Sequence, residues 1–206
     1  MIGLPNPTWN DLDALVVHTF GFLPKLDESG QPILNPETIL RLVKAAEVSL
    51  RYLIPIILPQ SWGKVENKWF WMPDYEQQYI LLLHVTPQMI IVPDKQPEGT
   101  RICGTGGELR LAIKICVKHS SSEKPLKNLG FVTNPIHMLR VRLLAWFISR
   151  KLHWSIKFYP ICSTLKLPLL RTVIQEMVAY LLMIIFLDFR AEGKCFTWFQ
   201  KHIPGG

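Results

Sequence analysis

"ELRLAIKICVKH", residues 108–119, sets Leu109, Leu111, Ile113, Ile115 and Val117 on one parity and Arg110, Ala112, Lys114, Cys116 and Lys118 on the other. Successive side chains of an extended chain point to opposite faces, so strict alternation over such a length predicts a half-buried strand. The apolar face packs, and the outer face carries Arg110, Lys114 and Lys118 toward solvent or a partner. The preceding "GTGG", residues 104–107, reads as the hairpin turn that delivers the strand, its glycines permitting positive φ.

Downstream, "SSSEKPLKNLG" (120–130) is polar and turn-rich and reads as an exposed, mobile, cationic loop. Asn134 and Pro135 open a helix, "IHMLRVRLLAWFISRKLH", apolar around much of its circumference with cations toward its ends. "WSIKFYP" alternates again, a strand with Lys157 outward. A last helix runs from about Pro168 to Glu192 and stops at Gly193, and residues 200–206 form a loose tail.

Upstream, Thr8 and Asp11 resemble a capping box ahead of "WNDLDALVVHTF", read as a short first helix. "GFLPKLDESGQPIL" follows as a loop. Asn35, Pro36 and Glu37 start the clearest helix, with a stripe of Ile39, Leu42, Val43, Ala46, Leu50 and Leu53 that ends before Pro55. "NKWFWMP", "YILLLHV" and "QMIIVPD" give three short β-like runs, most simply a meander. The expectation is one α+β domain over residues 1–206, a largely antiparallel sheet packed with three to four helices and lacking parallel βαβ repetition.

Charge is unevenly distributed. Residues 1–103 hold 8 Lys and Arg against 11 Asp and Glu, a net −3, while the remainder holds 15 against 5, a net +10. Twelve cations lie between Arg110 and Arg171 with Glu123 as the sole acid, a one-sided run that calls for an anionic counterpart. Cys103, Cys116, Cys162 and Cys195 lack CxxC spacing and read as free thiols, and "MIGLPNPTWNDLD" has no signal-peptide pattern, so a reducing, cytoplasmic or nuclear setting is expected. "MVAYLLMIIFLDF" (177–189) is shorter than the about 20 apolar residues of a membrane span and reads as a buried helix.

Enzyme motifs are sparse. His84, Asp94 and Cys103 supply base, orienter and nucleophile for a Cys/His hydrolase, but their spacing matches no known pattern, and a histidine in a strand beside a glycine turn explains them equally. Because "GTGG" is read as leading into a strand, it lacks the helix that a phosphate loop requires. His18, His84, His119, His137, His153 and His202 show no metal-ligand spacing, so neither a metal nor a cofactor is expected.

Basic residues interleaved with aromatics remain: Trp146, Phe147, Arg150, Lys151, His153, Trp154, Lys157, Phe158 and Tyr159. The order of "GTGGELRLAIKI", polar loop, helix to Lys151 and "WSIKFYP" resembles the C-terminal portion of rhabdovirus-type matrix proteins, over residues 104–159. That resemblance implies a non-enzymatic protein that coats the inner leaflet of a membrane, binds nucleocapsid and self-associates. The chain has no PPxY motif, and its first segment is acidic where that family carries a basic arm.

The sequence therefore points to a non-enzymatic protein whose cationic face binds an anionic lipid membrane, RNA or a ribonucleoprotein, peripheral to a membrane if lipid is the ligand. Phosphate contact is expected of Arg110, Lys114, Lys118, Lys124, Lys127, Arg150, Lys151 and Lys157, with Trp154 stacking or inserting. The alternative is an interaction module that contacts a host protein through exposed aromatics such as Trp69, Trp71, Trp198 and Phe199, with an affinity that depends little on salt.

Overall fold

The computed structural model describes residues 9–98, 104–120, 126–151, 156–164, 173–174 and 176–178. At its centre is β1 (Ala14–Val17), all four residues inaccessible to solvent. It pairs in parallel with β4 (Ile56–Ile57) on one side, Leu15 opposite Ile56, and with β8 (Asn128–Thr133) on the other, Leu15 opposite Gly130. The sheet is completed by β7 (Ile90–Ile91) beside β4 and β9 (Lys157–Cys162) beside β8, both parallel. The order is β7-β4-β1-β8-β9.

Every crossover between these strands carries a helix. An antiparallel hairpin, β2 (Phe22–Leu26) and β3 (Pro32–Leu34), and then α1 (Pro36–Tyr52) lead from β1 to β4. A second hairpin, β5 (Trp62–Val65) and β6 (Lys68–Trp71), and then α2 (Met72–Leu82) lead from β4 to β7. Helix α3 (Gly104–His119) connects β7 to β8, and α4 (Pro135–Lys151) connects β8 to β9. Leu42, Ala45 and Ala46 of α1 and Ile80 of α2 pack on Leu15, Val17, Ile56 and Val132. Leu109, Ile113 and Cys116 of α3 and Val141, Leu144 and Ile148 of α4 pack on Ala14, Val16, Ile57 and Phe131 across the sheet.

This is a doubly wound, Rossmann-like α/β arrangement. It overturns the expected antiparallel meander of an α+β domain and the expected lack of βαβ repetition. The physical reason is burial on both faces. A parallel strand covered by helices above and below is a continuous apolar run, without alternation. "ALVV", "PIIL" and "MIIV" are such runs, and the alternation seen in 108–119 is incidental to a helix.

Within α3 the buried residues are Thr105, Gly106, Leu109, Ala112, Ile113, Ile115 and Cys116, which is helical spacing. Ala112 and Cys116, placed outward on a strand reading, are core residues, and Val117, placed inward, is 45% exposed. The other differences follow. The segment read as a first helix is a 3-10 turn (Trp9–Asp11) and β1, and "YILLLHV" is the end of α2 and its exit. The helices opened by Asn35 and by Asn134 are present, although Val43, Leu50 and Leu53 of the stripe read on the first are exposed, and the strand read at "WSIKFYP" is β9, which runs from Lys157 to Cys162. The beginning of β8 lies inside the loop expected at 120–130, since Asn128 already pairs with Lys157.

One glycine is required by packing. A Cβ on Gly130 would lie 2.6 Å from Cδ1 of Ile161 and 2.9 Å from Cδ2 of Leu15, so β8 seats its neighbours where a larger residue would collide. No helix among the described residues is long and apolar enough to cross a membrane. Most of the apolar 177–189 segment and the expected helix to Glu192 lie outside the described residues.

Candidate functional site

In a parallel sheet each helix returns antiparallel to its strands, so all four helices begin at the strands' carboxyl edge. There the chain delivers a set of buried and half-buried polar side chains. From strand ends come His18 and Thr19 after β1, Gln60 and Ser61 after β4, Thr133 and Asn134 at and after β8, and Ser163 after β9, each no more than 8% exposed. From the opening turns of the helices come Glu37, Thr38 and Arg41 (α1), Glu76 (α2), Thr105 and Glu108 (α3), and His137 and Arg140 (α4). Strand order reverses between β1 and β8, and open α/β sheets bind ligands in the crevice at such a switch point.

His18 is the hub. Its backbone N–H donates to the Val132 carbonyl, tying β1 to β8 beyond the last paired residues, and its ring stacks on Phe131 with centroids 5.6 Å apart. Nδ1 lies 3.0 Å from Oε2 of Glu108, so the carboxylate accepts Nδ1–H, and Nε2 has no partner among the described residues. The guanidinium of Arg41 donates to the carbonyl of His18, faces Glu37 at 4.0 Å and lies under the ring of Phe20 at 5.8 Å. Burial lowers Arg41 to about 10, with Glu37, Glu108 and Glu176 pulling it back, so the group stays charged at neutral pH.

On the other side of β1, the Thr19 hydroxyl donates to Oε1 of Glu76 at 2.7 Å. Burial pushes Glu76 up to about 8 despite that bond, and the charge of Glu108 adds to the rise, so the carboxyl is protonated at neutral pH. A second cluster closes the edge over α4. Asn134 accepts the His137 backbone N–H at 2.8 Å, and Nδ1 of His137 meets Oε1 of Glu176 at 2.8 Å. The Arg140 guanidinium donates to both oxygens of Glu176. Nε2 of His137 lies 3.3 Å from the Thr105 hydroxyl, joining α4 to the first turn of α3. Burial, reinforced by Arg140, pushes the His137 imidazole down and keeps it neutral. Burial alone would raise Glu176, and the bonds from His137 and Arg140 reverse that and hold it low.

Several polar atoms at this edge have no hydrogen-bond partner among the described residues: Nε2 of His18, Nε of Arg41, Nε2 of Gln60, Oε2 of Glu76, Oγ1 of Thr133 and Oγ of Ser163. Each such buried atom costs about 1–3 kcal/mol, and the others of this kind include only Ser49 well away from the edge. Glu108, with 17% of its side chain accessible, and Phe20, 47% exposed, mark where the cluster meets solvent. No group of His, Cys, Asp and Glu among the described residues is arranged to hold a metal ion.

The residues expected to contact phosphate are placed differently. Arg110, Lys114 and Lys118 form a stripe along α3 at four-residue steps, and Lys118 is paired with Asp94 at 2.7 Å. Arg142 and Arg150 are exposed on α4, where Arg150 lies over the Trp146 ring at 4.3 Å. Lys127 and Lys157 are exposed where β8 and β9 begin, at the opposite edge from the polar cluster. Arg140 leaves the surface altogether for Glu176. Lys124, Trp154 and the Lys151 side chain lie outside the described residues, as do Cys103, Trp198 and Phe199. Trp71, expected to be exposed, is buried, and Trp69 is half-buried.

No family model, curated protein or solved structure matches this chain. What can be said of the site therefore rests on its own residues. Sequence reasoning missed His18, Arg41, Glu76, Glu108 and Thr133, and counted Arg140 as a surface cation. The available signal was a polar pair directly after each short apolar run: "HT" after "ALVV", "QS" after "IILP" and "TN" after "GFV". "GTGGE" opens α3, so the objection that it leads into a strand falls away.

Proposed function

We propose that the chain binds a small anionic molecule at the carboxyl edge of its sheet, over the junction of β1 and β8. The observation that carries this reading is the gathering, from four strand ends and two helices, of buried polar atoms without a partner among the described residues at the edge that holds the switch point. Ligand oxygens would accept from Arg41 and Thr133, and a ligand hydroxyl or a water beside it would donate to Nε2 of His18. An anion is favoured because the first turns of helices direct backbone N–H groups and the positive end of the dipole toward that edge, and because Arg41 is held there charged. Glu37 is paired with Arg41 and Glu176 with Arg140, whereas Glu108 meets only the His18 imidazole among the described residues and keeps its charge at the rim of the site.

Thr133→Val separates binding from folding. The valine keeps the shape and removes an unpartnered hydroxyl, so the free variant should unfold at the same temperature as the parent or higher. Millimolar inorganic phosphate or pyrophosphate should raise the unfolding midpoint of the parent, as any ligand specific to the native state does, and raise that of the variant clearly less. Equal shifts in both proteins would remove the site from this edge.

A second reading keeps a cytoplasmic chain with a cationic face for anionic lipid or RNA. The observation that favours it is on the outer surface of α4, where Leu139, Leu143, Trp146 and Phe147 are 39–61% exposed beside Arg142 and Arg150. Helix α4 has no acidic residue. Combining Lys114→Glu and Arg142→Glu should abolish binding to anionic vesicles or RNA on this reading, and leave the phosphate-induced shift intact on the first.

A further inference from the structure

The same edge holds two proton-carrying groups, one on His18 and the other, Glu76, bonded to the next residue, Thr19. His18 presents an imidazole whose tautomer is set by Glu108, with Nε2 free to accept a proton. Thr19 fixes one oxygen of Glu76, whose other oxygen is unpartnered and fully buried. Thr19 and Glu76 are on the α1 and α2 side of β1, whereas His18 and Glu108 are on the α3 side, so the two flank the carboxyl end of that strand. A carboxyl that burial keeps protonated, beside an imidazole with one ring nitrogen unbonded among the described residues, is a pairing suited to acid and base roles.

We propose that the chain hydrolyses phosphate monoesters of small alcohols, with His18 as general base and Glu76 as general acid. This rests on the anion site described above. Arg41 and Thr133 hold the phosphoryl oxygens beside the first-turn amides. Nε2 of His18 takes a proton from water as the water oxygen bonds to phosphorus. The bond from phosphorus to the ester oxygen breaks, and the departing alkoxide receives the proton from Oε2 of Glu76. The products are inorganic phosphate and an alcohol, and the proton left on His18 returns to Glu76 through solvent. Burial keeps Glu76 protonated at neutral pH, which suits it to the donor role. A dedicated donor matters for an alkyl leaving group and little for an activated phenol, which fixes the substrate class.

The test uses the full chain with β-glycerophosphate and p-nitrophenyl phosphate, and inorganic phosphate as a binding probe. His18→Gln should slow both esters by about 100-fold or more, the usual worth of a general base. Glu76→Gln should slow β-glycerophosphate by a similar factor while p-nitrophenyl phosphate loses less than about 10-fold. Glu108→Gln should lower kcat with KM unchanged, and it decides the base assignment if His18→Gln fails to fold. Phosphate binding without turnover of either ester, or equal losses for both esters in Glu76→Gln, would overturn the acid–base assignment and leave the anion site standing. Absence of both phosphate binding and turnover would overturn the two together.

Discussion

Replacing Phe131 by alanine should lower the free energy of unfolding by about 3–5 kcal/mol, the usual cost of deleting a buried aromatic ring, and so take a large part of a domain's stability. Phe131 is 1% exposed in the middle of β8, stacked on His18 and tilted against Phe158 at 5.2 Å between centroids. It lies in the core beneath α3 and α4 with Leu109, Ile113 and Leu144, so the ring's removal leaves a cavity lined by several elements that cannot all close on it. The contrast is Leu139→Ala on the outside of α4, a residue 61% exposed, which should change stability by less than about 0.5 kcal/mol. Urea unfolding of both variants measures the pair. A loss below about 1 kcal/mol for Phe131→Ala would mean that β8 is no interior strand, since core truncations of this size do not go unnoticed.

The second large effect is a dependence of stability on pH that runs against the usual carboxylate pattern. Burial raises Glu76 from 4.5 to about 8, so between those values the native chain holds a proton that the unfolded chain has released. Stability therefore falls as pH rises through that window and levels off above it. His137 and Glu176 act in the opposite sense, both pushed down in the fold, and what they contribute is lost as pH falls below 6.5 and 4.5 respectively. Above pH 6.5 the Glu76 effect stands by itself among these three. From there to pH 8 the parent should lose about 2 kcal/mol, at 1.36 kcal/mol per pH unit for one proton. Glu76→Gln should abolish that decline, giving urea midpoints that are flat from pH 6.5 to 8.5. A parent whose stability is flat over the same interval would show that Glu76 is ionised in the native state and not buried as described.

How much of this was legible in the residues varies with the physics of each element. Helix α1 carries its own start signal in Asn35, Pro36 and Glu37, and the Asn35 side chain does accept the Glu37 N–H at 2.9 Å, so local chemistry sufficed. Asn134 and Pro135 mark α4 in the same way. The strands gave no comparable signal. A four-residue apolar run between helices is equally a piece of buried helix until its pairing is known, and the pairing of β1 joins residues over a hundred positions apart. In α3 two patterns coexist. Its apolar residues alternate, yet Leu109, Ala112, Ile113 and Cys116 also recur at helical spacing, and only packing against the sheet decides between them.

The site was hidden for the same reason as the strands. His18, Arg41, Glu76, Glu108, Thr133 and Arg140 are scattered through the sequence without a motif. They meet because a parallel sheet brings strand ends and helix beginnings to a single edge. The uneven charge was visible at once and was read as one surface. In the structure Lys118 answers Asp94 and Arg140 turns inward to Glu176, while Arg110, Lys114, Arg142 and Arg150 remain along two neighbouring helices.

The most direct measurement is diffraction from crystals of the full chain soaked in sodium tungstate, an electron-dense analogue of phosphate whose position anomalous scattering reveals. A tungstate at the junction of β1 and β8, within hydrogen-bonding distance of Arg41 and Thr133, is the expected result. Tungstate confined to the outer faces of α3 and α4, around Lys114 and Arg142, with nothing at the carboxyl edge of the sheet, would contradict it.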